Sequence, residues 1–297
     1  MNAMLARAHK TEFSDWSAEL LEHGYCIIPD LVPGWKVRAL HSDLKERFAR
    51  TPFCVGDFYG PKTKRFGGLL KRSAHAKDFI AHPVILDVTN KVLGPFCDRF
   101  NLNLAQAIEL HPGAPKQYPH RDQDMWRGDT GRIEYLVNVM WPFTPYTKEN
   151  GATVVWPDSH KRQGEIQIDE RESIVAEMLP GAALLFLGST LHGAGGNMSN
   201  MIRSGMIISY CLGWLKPYEN QWLVYPPVVA RHFSPEVAAL VGYQQHRPNL
   251  GNYEGQCPSV LLGGNLAEYL PATEELRPDQ IEMVERHKAE RAAKEKL

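Results

Sequence analysis

Pro119-His120-Arg121-Asp122-Gln123-Asp124-Met125-Trp126 is the stretch on which the reading of this 297-residue chain turns. In extended backbone, side chains at i and i+2 emerge on the same side. His120 and Asp122 can therefore grip one metal ion from a single piece of chain. Asp124 lies four residues from His120 and overreaches unless the backbone bends, which favours Asp122 as the carboxylate. Alone the pair is a weak signal, because in a chain with 12 histidines a His-x-Asp arises easily by chance. A third donor strengthens it. Gly188-Ser189-Thr190-Leu191-His192-Gly193-Ala194-Gly195-Gly196 sets His192 just past an apolar run ending at Leu187, beside glycines that let a ligand approach the backbone. Two imidazoles and one carboxylate on one face of an octahedron leave three positions open, the facial arrangement of non-haem iron(II) sites. Neutral imidazoles and one carboxylate leave a ferrous ion with net positive charge, so an anionic cosubstrate is attracted. Two open positions suit a chelating 2-oxo acid and the third suits O2.

Arg203 follows His192 after a Gly-rich reversal and precedes the apolar run Gly205 to Leu212. An arginine at a strand start is ordinarily a surface residue. Here its spacing gives it a second reading. A 2-oxo acid held by iron at one end still carries a far carboxylate, and a planar guanidinium matches that group with two hydrogen bonds.

Outward from these motifs, the chain divides by periodicity. Ser14 to His23 has apolar residues at helical spacing with Ser14 as cap, and Trp35 to Ala49 and Val84 to Leu93 repeat the pattern. Gly24 to Pro29 reads as a short strand, and Cys54 to Gly68 as a long loop. Beyond Leu102 the strands dominate: Leu102 to Leu110, Ile133 to Trp141, Ala152 to Trp156, Ala182 to Leu187 and Gly205 to Leu212, joined by Gly/Pro turns. Strands in series with helices gathered near the N-terminus predict a mainly β chain, a jelly roll with flanking helices. The reading is one domain over 1–297, with its core over 24–258 and a charged helical tail over 278–297.

Composition sets the limits. Net charge is −1 with 43% apolar residues, which leaves no global field to recruit nucleic acid or an acidic membrane. The five cysteines form no CxxC pair and read as reduced thiols. Met1 to Lys10 has too short an apolar run for a signal peptide, and no stretch has the length to span a bilayer. These features predict a cytoplasmic protein acting on a small-molecule substrate.

The motifs, taken in order, resemble the phytanoyl-CoA dioxygenase family of Fe(II)/2-oxoglutarate-dependent oxygenases. The resemblance rests on Gln117-Tyr118-Pro119-His120-Arg121-Asp122, on Asn150-Gly151-Ala152-Thr153-Val154-Val155-Trp156-Pro157-Asp158-Ser159-His160, and on Leu191-His192-Gly193 with Arg203. Gly213-Trp214-Leu215 and Glu219-Asn220-Gln221 extend it, so that it runs from Gly24 to about Pro258. It implies a double-stranded β-helix (cupin-like) core, iron held by His120, Asp122 and His192, and 2-oxoglutarate held by Arg203 with help from Gln117 and Thr153. O2 is then the second cosubstrate, and succinate and CO2 are released as the substrate is oxidised. Hydroxylation is the usual outcome; desaturation, rearrangement and endoperoxidation stay open. An intact carboxylate at Asp122 argues against halogenation, which in such enzymes needs a small residue there. One departure is Asp158, where the family turn more often has glycine, and a modest change of turn geometry is expected.

The substrate implied is a mostly apolar molecule such as a secondary metabolite, with an acyl-CoA as the alternative. A cupin-type metalloenzyme using the same triad without 2-oxoglutarate is the competing mechanism. For the substrate walls the candidates are Met125 and Trp126, next to the metal segment, and Phe66, Leu69 and Arg72 in and after the long loop. Lys62, Lys64, Arg65, Lys71 and Arg72 form a basic cluster that is either a cradle for an anion or a solvated face. His111 and His232 read as loop and surface residues, and His160 as a structural hydrogen-bonding residue. Tyr210, seven residues after Arg203, falls on the opposite strand face. A homodimer is a further expectation from the family.

Overall fold

In the computed structural model, residues 15–128, 131–162, 164, 168–264 and 267–295 are described. The first helix, Trp16–His23, is capped by Asp15, whose Oδ1 accepts from the backbone N–H groups of Ser17 and Ala18 at 3.2 and 3.3 Å; Ser14, the expected cap, lies outside the described residues. Gly24 ends it in the left-handed conformation at φ 79°. A Cβ there would stand 2.5 Å from both His160 Nδ1 and Thr190 Oγ1, so only glycine lets the chain turn into the sheet this close to the site.

Nine strands follow among the described residues: β1 (Tyr25–Ile28), β2 (Thr63–Phe66), β3 (Phe100–Leu110), β4 (Leu136–Pro142), β5 (Thr153–Val155), β6 (Ile174–Val175), β7 (Ala183–Leu187), β8 (His192–Ala194) and β9 (Arg203–Leu212). Six form one sheet in the order β1-β7-β4-β9-β3-β2 and three a smaller sheet in the order β6-β5-β8, with every pairing antiparallel. Two facing antiparallel sheets with crossover connections make the expected jelly roll.

The large sheet is covered on both faces, so β4, β7 and β9 are buried at every residue, and β7 reads as an unbroken apolar run rather than an alternating one. Along β9 the pleat still sorts side chains. Met206, Ile208 and Tyr210 pack outward with Leu40, Leu44, Phe79 and Val92 of the helical layer, formed by Gly34–Arg50, Lys77–Ile80 and Pro83–Leu93. Ile207 faces inward with Met140, Phe186 and Val155 of the intersheet core. Tyr210 is thus on the outer face, where its hydroxyl donates to the Ile80 carbonyl at 2.6 Å and burial pushes its pKa up.

Two boundaries differ from expectation. The stretch 54–68 is not all loop: Thr63–Phe66 pairs with Ala107–Leu110 as the edge strand of the large sheet. Four residues carrying two adjacent cations show too little alternation to announce a strand. Arg203 opens β9, paired with Leu110, instead of preceding it. The charged tail forms the exposed helix Pro278–Lys294. No helix among the described residues is long and apolar enough to cross a membrane.

Candidate active site

His120 and His192 sit directly opposite each other as an isolated antiparallel bridge, exchanging both backbone hydrogen bonds at 2.9 and 3.0 Å. Gln117 N–H donates to the Ala194 carbonyl two positions along (2.9 Å). The segment 117–120 therefore lies on the free edge of β8, and residues paired this way project to the same side. Arg121 is extended (φ −112°, ψ 125°), which carries Asp122 back to the face of His120. The chain then winds into a 3-10 turn at Asp122–Met125, which leaves Asp124 exposed to solvent and away from the pair.

The geometry that results is tight. His120 Nε2 is 3.3 Å from Asp122 Oδ1, and His192 Nε2 is 3.5 Å from Asp122 Oδ2. The Nδ1 atoms face outward to main-chain carbonyls, Tyr118 O for His120 (2.9 Å) and Thr190 O for His192 (3.0 Å). Those bonds place the ring proton on Nδ1 and aim the Nε2 lone pairs inward. Burial acts to raise the Asp122 carboxyl, but the imidazoles of His192 and His120 outweigh it and hold the group well below the usual carboxylate range. Burial likewise acts to lower His192, and Asp122 reverses it, so the imidazole titrates above its ordinary value. The three donors lie within 4.8 Å of one another. A second such grouping, Glu22, His23 and Asp158, is already occupied by Lys161 Nζ, 3.1 Å from Glu22 and 2.8 Å from Asp158.

The trio opens onto a cavity of about 110 Å³ between the sheets, and Arg203 lines the same cavity. Arg203 is 2% exposed, its guanidinium lies 4.4 Å over the Tyr146 ring, and its Nε and Nη1 have no acceptor among the described residues. Gln117 and Thr153 line it too; Gln117 Oε1 accepts from the Ala194 N–H at 3.2 Å, and Thr153 is paired with Ala194 across β5 and β8.

Arg65 was legible only as one member of a basic cluster. It is a second guanidinium in this cavity, 4.8 Å over the Tyr59 ring, with Nη1 donating to Gln106 Oε1 (3.3 Å) and Nε unpartnered. Tyr59 and Tyr218 join their hydroxyls across the cavity wall, and Phe58 stands edge-on to the His120 ring at 4.8 Å. None of these aromatics carried a motif signal; only their contribution from loops bordering the sheet brings them here.

Of the proposed substrate contacts, Met125 lines the cavity. Trp126 does not, since its indole N–H donates to Lys216 O at 2.9 Å and its ring packs edge-on to Tyr135. Phe66, Leu69 and Arg72 also fall outside it. The pleat of β2 is the reason. With Arg65 turned inward, Phe66 points outward onto Phe48 (4.8 Å), Leu69 is wholly buried in the outer core, and Arg72 Nε donates to Gly67 O. The basic cluster disperses likewise: Lys62 bonds Pro112 O and Lys64 bonds Phe48 O. His160 bonds Leu21 O (2.9 Å), His111 pairs with Glu109, and His232 is exposed. Asp158 adopts φ 60°, the left-handed region, which is the physical reason a glycine suits this turn.

A jelly roll holding two histidines and one carboxylate at the mouth of a buried cationic cavity defines the class of non-haem metal oxygenases. Comparison with known proteins agrees. The family model for phytanoyl-CoA dioxygenase (PhyH) matches residues 20–205, and dioxygenase swnH1 of Metarhizium robertsii is 30% identical over 279 residues, 86% of this chain and 90% of the relative. The chain belongs to the phytanoyl-CoA dioxygenase family. Dioxygenase FrzG of Cladobotryum sp is 29% identical over 235 residues, 74% of this chain and 76% of the relative. Among solved structures, the epimerase SnoN in complex with Fe3+, alpha ketoglutarate and nogalamycin RO superposes with a TM-score of 0.56 at 16% identity, covering 67% of this chain and 82% of that one. The family match stops two residues after Arg203, short of the Gly213-Trp214-Leu215 and Glu219-Asn220-Gln221 stretches.

Proposed function

We propose that this protein is an Fe(II)- and 2-oxoglutarate-dependent dioxygenase that oxidises a small, mostly apolar molecule and releases succinate and CO2. The observation that carries the reading is a single cavity bearing both the three convergent donors and two buried guanidiniums with unpartnered N–H groups. The donor set fits iron. Ligands at right angles, each about 2.1 Å from one ion, lie about 3 Å apart, close to the 3.3 and 3.5 Å observed. Both imidazoles are fixed in the tautomer a divalent metal needs. When bound, the ferrous ion with its 2-oxo acid supplies the reduction of O2 coupled to decarboxylation.

The protein's own groups select the cosubstrate. 2-Oxoglutarate carries two carboxylates, and among the described residues Arg203 and Arg65 are two cations with no carboxylate in their cavity beyond Asp122. Arg203 takes the far carboxylate and Arg65 serves the other, with Gln117 and Thr153 donating alongside. The remaining walls, Phe58, Met125, Met140, Phe186 and Ile207, offer no charge to a substrate. That favours an uncharged reacting moiety. The test is anaerobic titration with Fe(II) and then 2-oxoglutarate. A metal-to-ligand charge-transfer band is expected; folded, iron-loaded protein that develops none would overturn the assignment.

A further inference from the structure

The iron donors come from two separate pieces of chain, and the bridge between His120 and His192 ties only one end of the first piece. Asp122 lies beyond that bridge, where the backbone leaves the sheet edge for a 3-10 turn. Something else must fix the carboxylate relative to His192. The residue between the two donors of the first piece faces the other way, because its backbone is extended and successive side chains alternate. That residue is Arg121. Its Nε donates to Ser189 O at 3.0 Å, and its Nη2 donates to Arg162 O at 3.0 Å and Ser159 O at 3.4 Å.

These acceptors are not incidental. Ser189 begins the four-residue run to His192, whose next carbonyl, Thr190 O, orients the His192 ring. Ser159 Oγ accepts from Leu191 N–H (2.8 Å), so the second acceptor segment also holds that run. On the other side of Asp122, Gln123 N–H donates to Gly188 O at 3.1 Å. Asp122 is thus flanked by two anchors that land on adjacent residues, Gly188 and Ser189, upstream of the third donor.

We infer that Arg121 is a positioning residue for the metal centre: its guanidinium clasps the His-x-Asp segment to the run carrying His192 and sets the angle of the Asp122 carboxylate. The inference rests on the metal reading above. Lysine cannot replace it fully. An ammonium is a point donor on a flexible stem, whereas the planar fork reaches carbonyls on two segments at once.

The test compares Arg121→Gln and Arg121→Lys with wild type, with Asp98→Asn as a remote control for simple loss of stability and His192→Ala as a control for loss of a donor. Anaerobic Fe(II) titration and the visible bands of the Co(II)-substituted protein are read beside Tm. Removing a group that orients a metal ligand typically weakens metal affinity by about 10- to 100-fold. That loss, with altered Co(II) bands, is expected for Arg121→Gln, a smaller loss for Arg121→Lys, and none for Asp98→Asn despite its lower Tm. Fe(II) affinity within about twofold of wild type and an unchanged Co(II) spectrum would overturn the clasp. Should the glutamine variant fail to fold, the lysine variant decides by the same criterion. A wild type that takes up Fe(II) no better than His192→Ala would instead overturn the metal reading itself.

Discussion

Replacing Arg203 with methionine separates cosubstrate binding from metal binding. The guanidinium is 2% exposed with two N–H-bearing nitrogens unsatisfied, so its pairing with a carboxylate occurs out of water. Removing one partner of a buried, hydrogen-bonded charge pair costs about 3–5 kcal/mol. At about 1.4 kcal/mol per decade, 2-oxoglutarate affinity should fall by roughly 10²- to 10³-fold or more. Fe(II) affinity should stay within a few-fold, since Arg203 makes no contact with the trio's donor atoms. The assay is anaerobic titration followed by the charge-transfer band, run in parallel with a 2-oxo acid that lacks the far carboxylate. Wild type should prefer 2-oxoglutarate strongly; the variant should bind both acids about equally. Thermal denaturation adds a sign test. Ligand at about 100 times Kd stabilises by about 2.7 kcal/mol, and that increment should vanish in the variant. Its ligand-free Tm should hold or rise, because an uncompensated buried cation has been replaced by an apolar chain of similar length. A variant that keeps wild-type discrimination between the two acids would refute the anchoring role, and with it the main ground for a 2-oxoglutarate mechanism over a cupin-type one.

Further outcomes follow from other contacts. Tyr218→Phe breaks the hydroxyl pair with Tyr59; losing about 1 kcal/mol of closure should raise substrate-independent succinate release about fivefold while the Kd for 2-oxoglutarate stays put. Unchanged uncoupled turnover would show that the pair does not gate the cavity. Asp98 accepts from Arg247 N, Nε and Nη2 at 3.0, 2.9 and 2.6 Å. Burial acts to raise its carboxyl, but Arg247 outweighs this and brings it to about 2. Asp98→Asn should therefore lower stability by about 1–3 kcal/mol at neutral pH, and the difference should fade as pH falls through 4 towards 2, read by urea unfolding. His41 is stacked on Phe143 (5.1 Å) and lowered chiefly by burial, with Lys45 adding to the effect. Its neutral form favours the fold fully above the unfolded value near 6.5 and progressively less below it. Wild type should thus lose stability relative to His41→Phe as pH drops from 7.5 to 5.5; parallel curves would show that His41 titrates normally.

What could be read from sequence divides along physical lines. The central strands of the large sheet announced themselves because a layer covered on both faces favours apolar runs, as in Ala183-Leu184-Leu185-Phe186-Leu187. His120 and Asp122 were legible because i and i+2 share a face over one extended residue, and His192 because its glycine setting is local. The far wall was not. Whether Arg65 or Phe66 faces the cavity depends on the register of β2 against β3, a tertiary pairing that four residues with adjacent cations do not encode. Tyr59 and Tyr218 are 159 residues apart, so nothing in the local pattern of either names its partner. Trp126 looked like a cavity wall by proximity to Asp122, but the 3-10 turn rotates the chain by less than extension would, and the indole leaves for Lys216.

The two guanidiniums explain more together than apart. Arg65 and Arg203 are close enough for each charge to act on the other, and burial depresses the Arg65 guanidinium first, with Arg203 acting in the same direction. Like charges held in a small cavity destabilise the ligand-free fold, so this arrangement is explained by what enters. A ferrous ion with one carboxylate ligand contributes a single positive charge and the arginines two more. A 2-oxo dianion offsets two of the three, whereas a monoanionic 2-oxo acid leaves the cavity doubly positive. Selection for a dianion thus follows from charge balance as well as from reach. Three uncompensated positive charges favour entry of the dianion ahead of an apolar molecule, so the organic substrate is expected to meet the metal after the cosubstrate is seated, against the aromatic wall of Phe58, Tyr59 and Tyr218. Binding order is the consequence: 2-oxoglutarate first, with substrate affinity measurable only in its presence. Tight substrate binding to iron-loaded protein without 2-oxoglutarate would break that chain of reasoning at its electrostatic step.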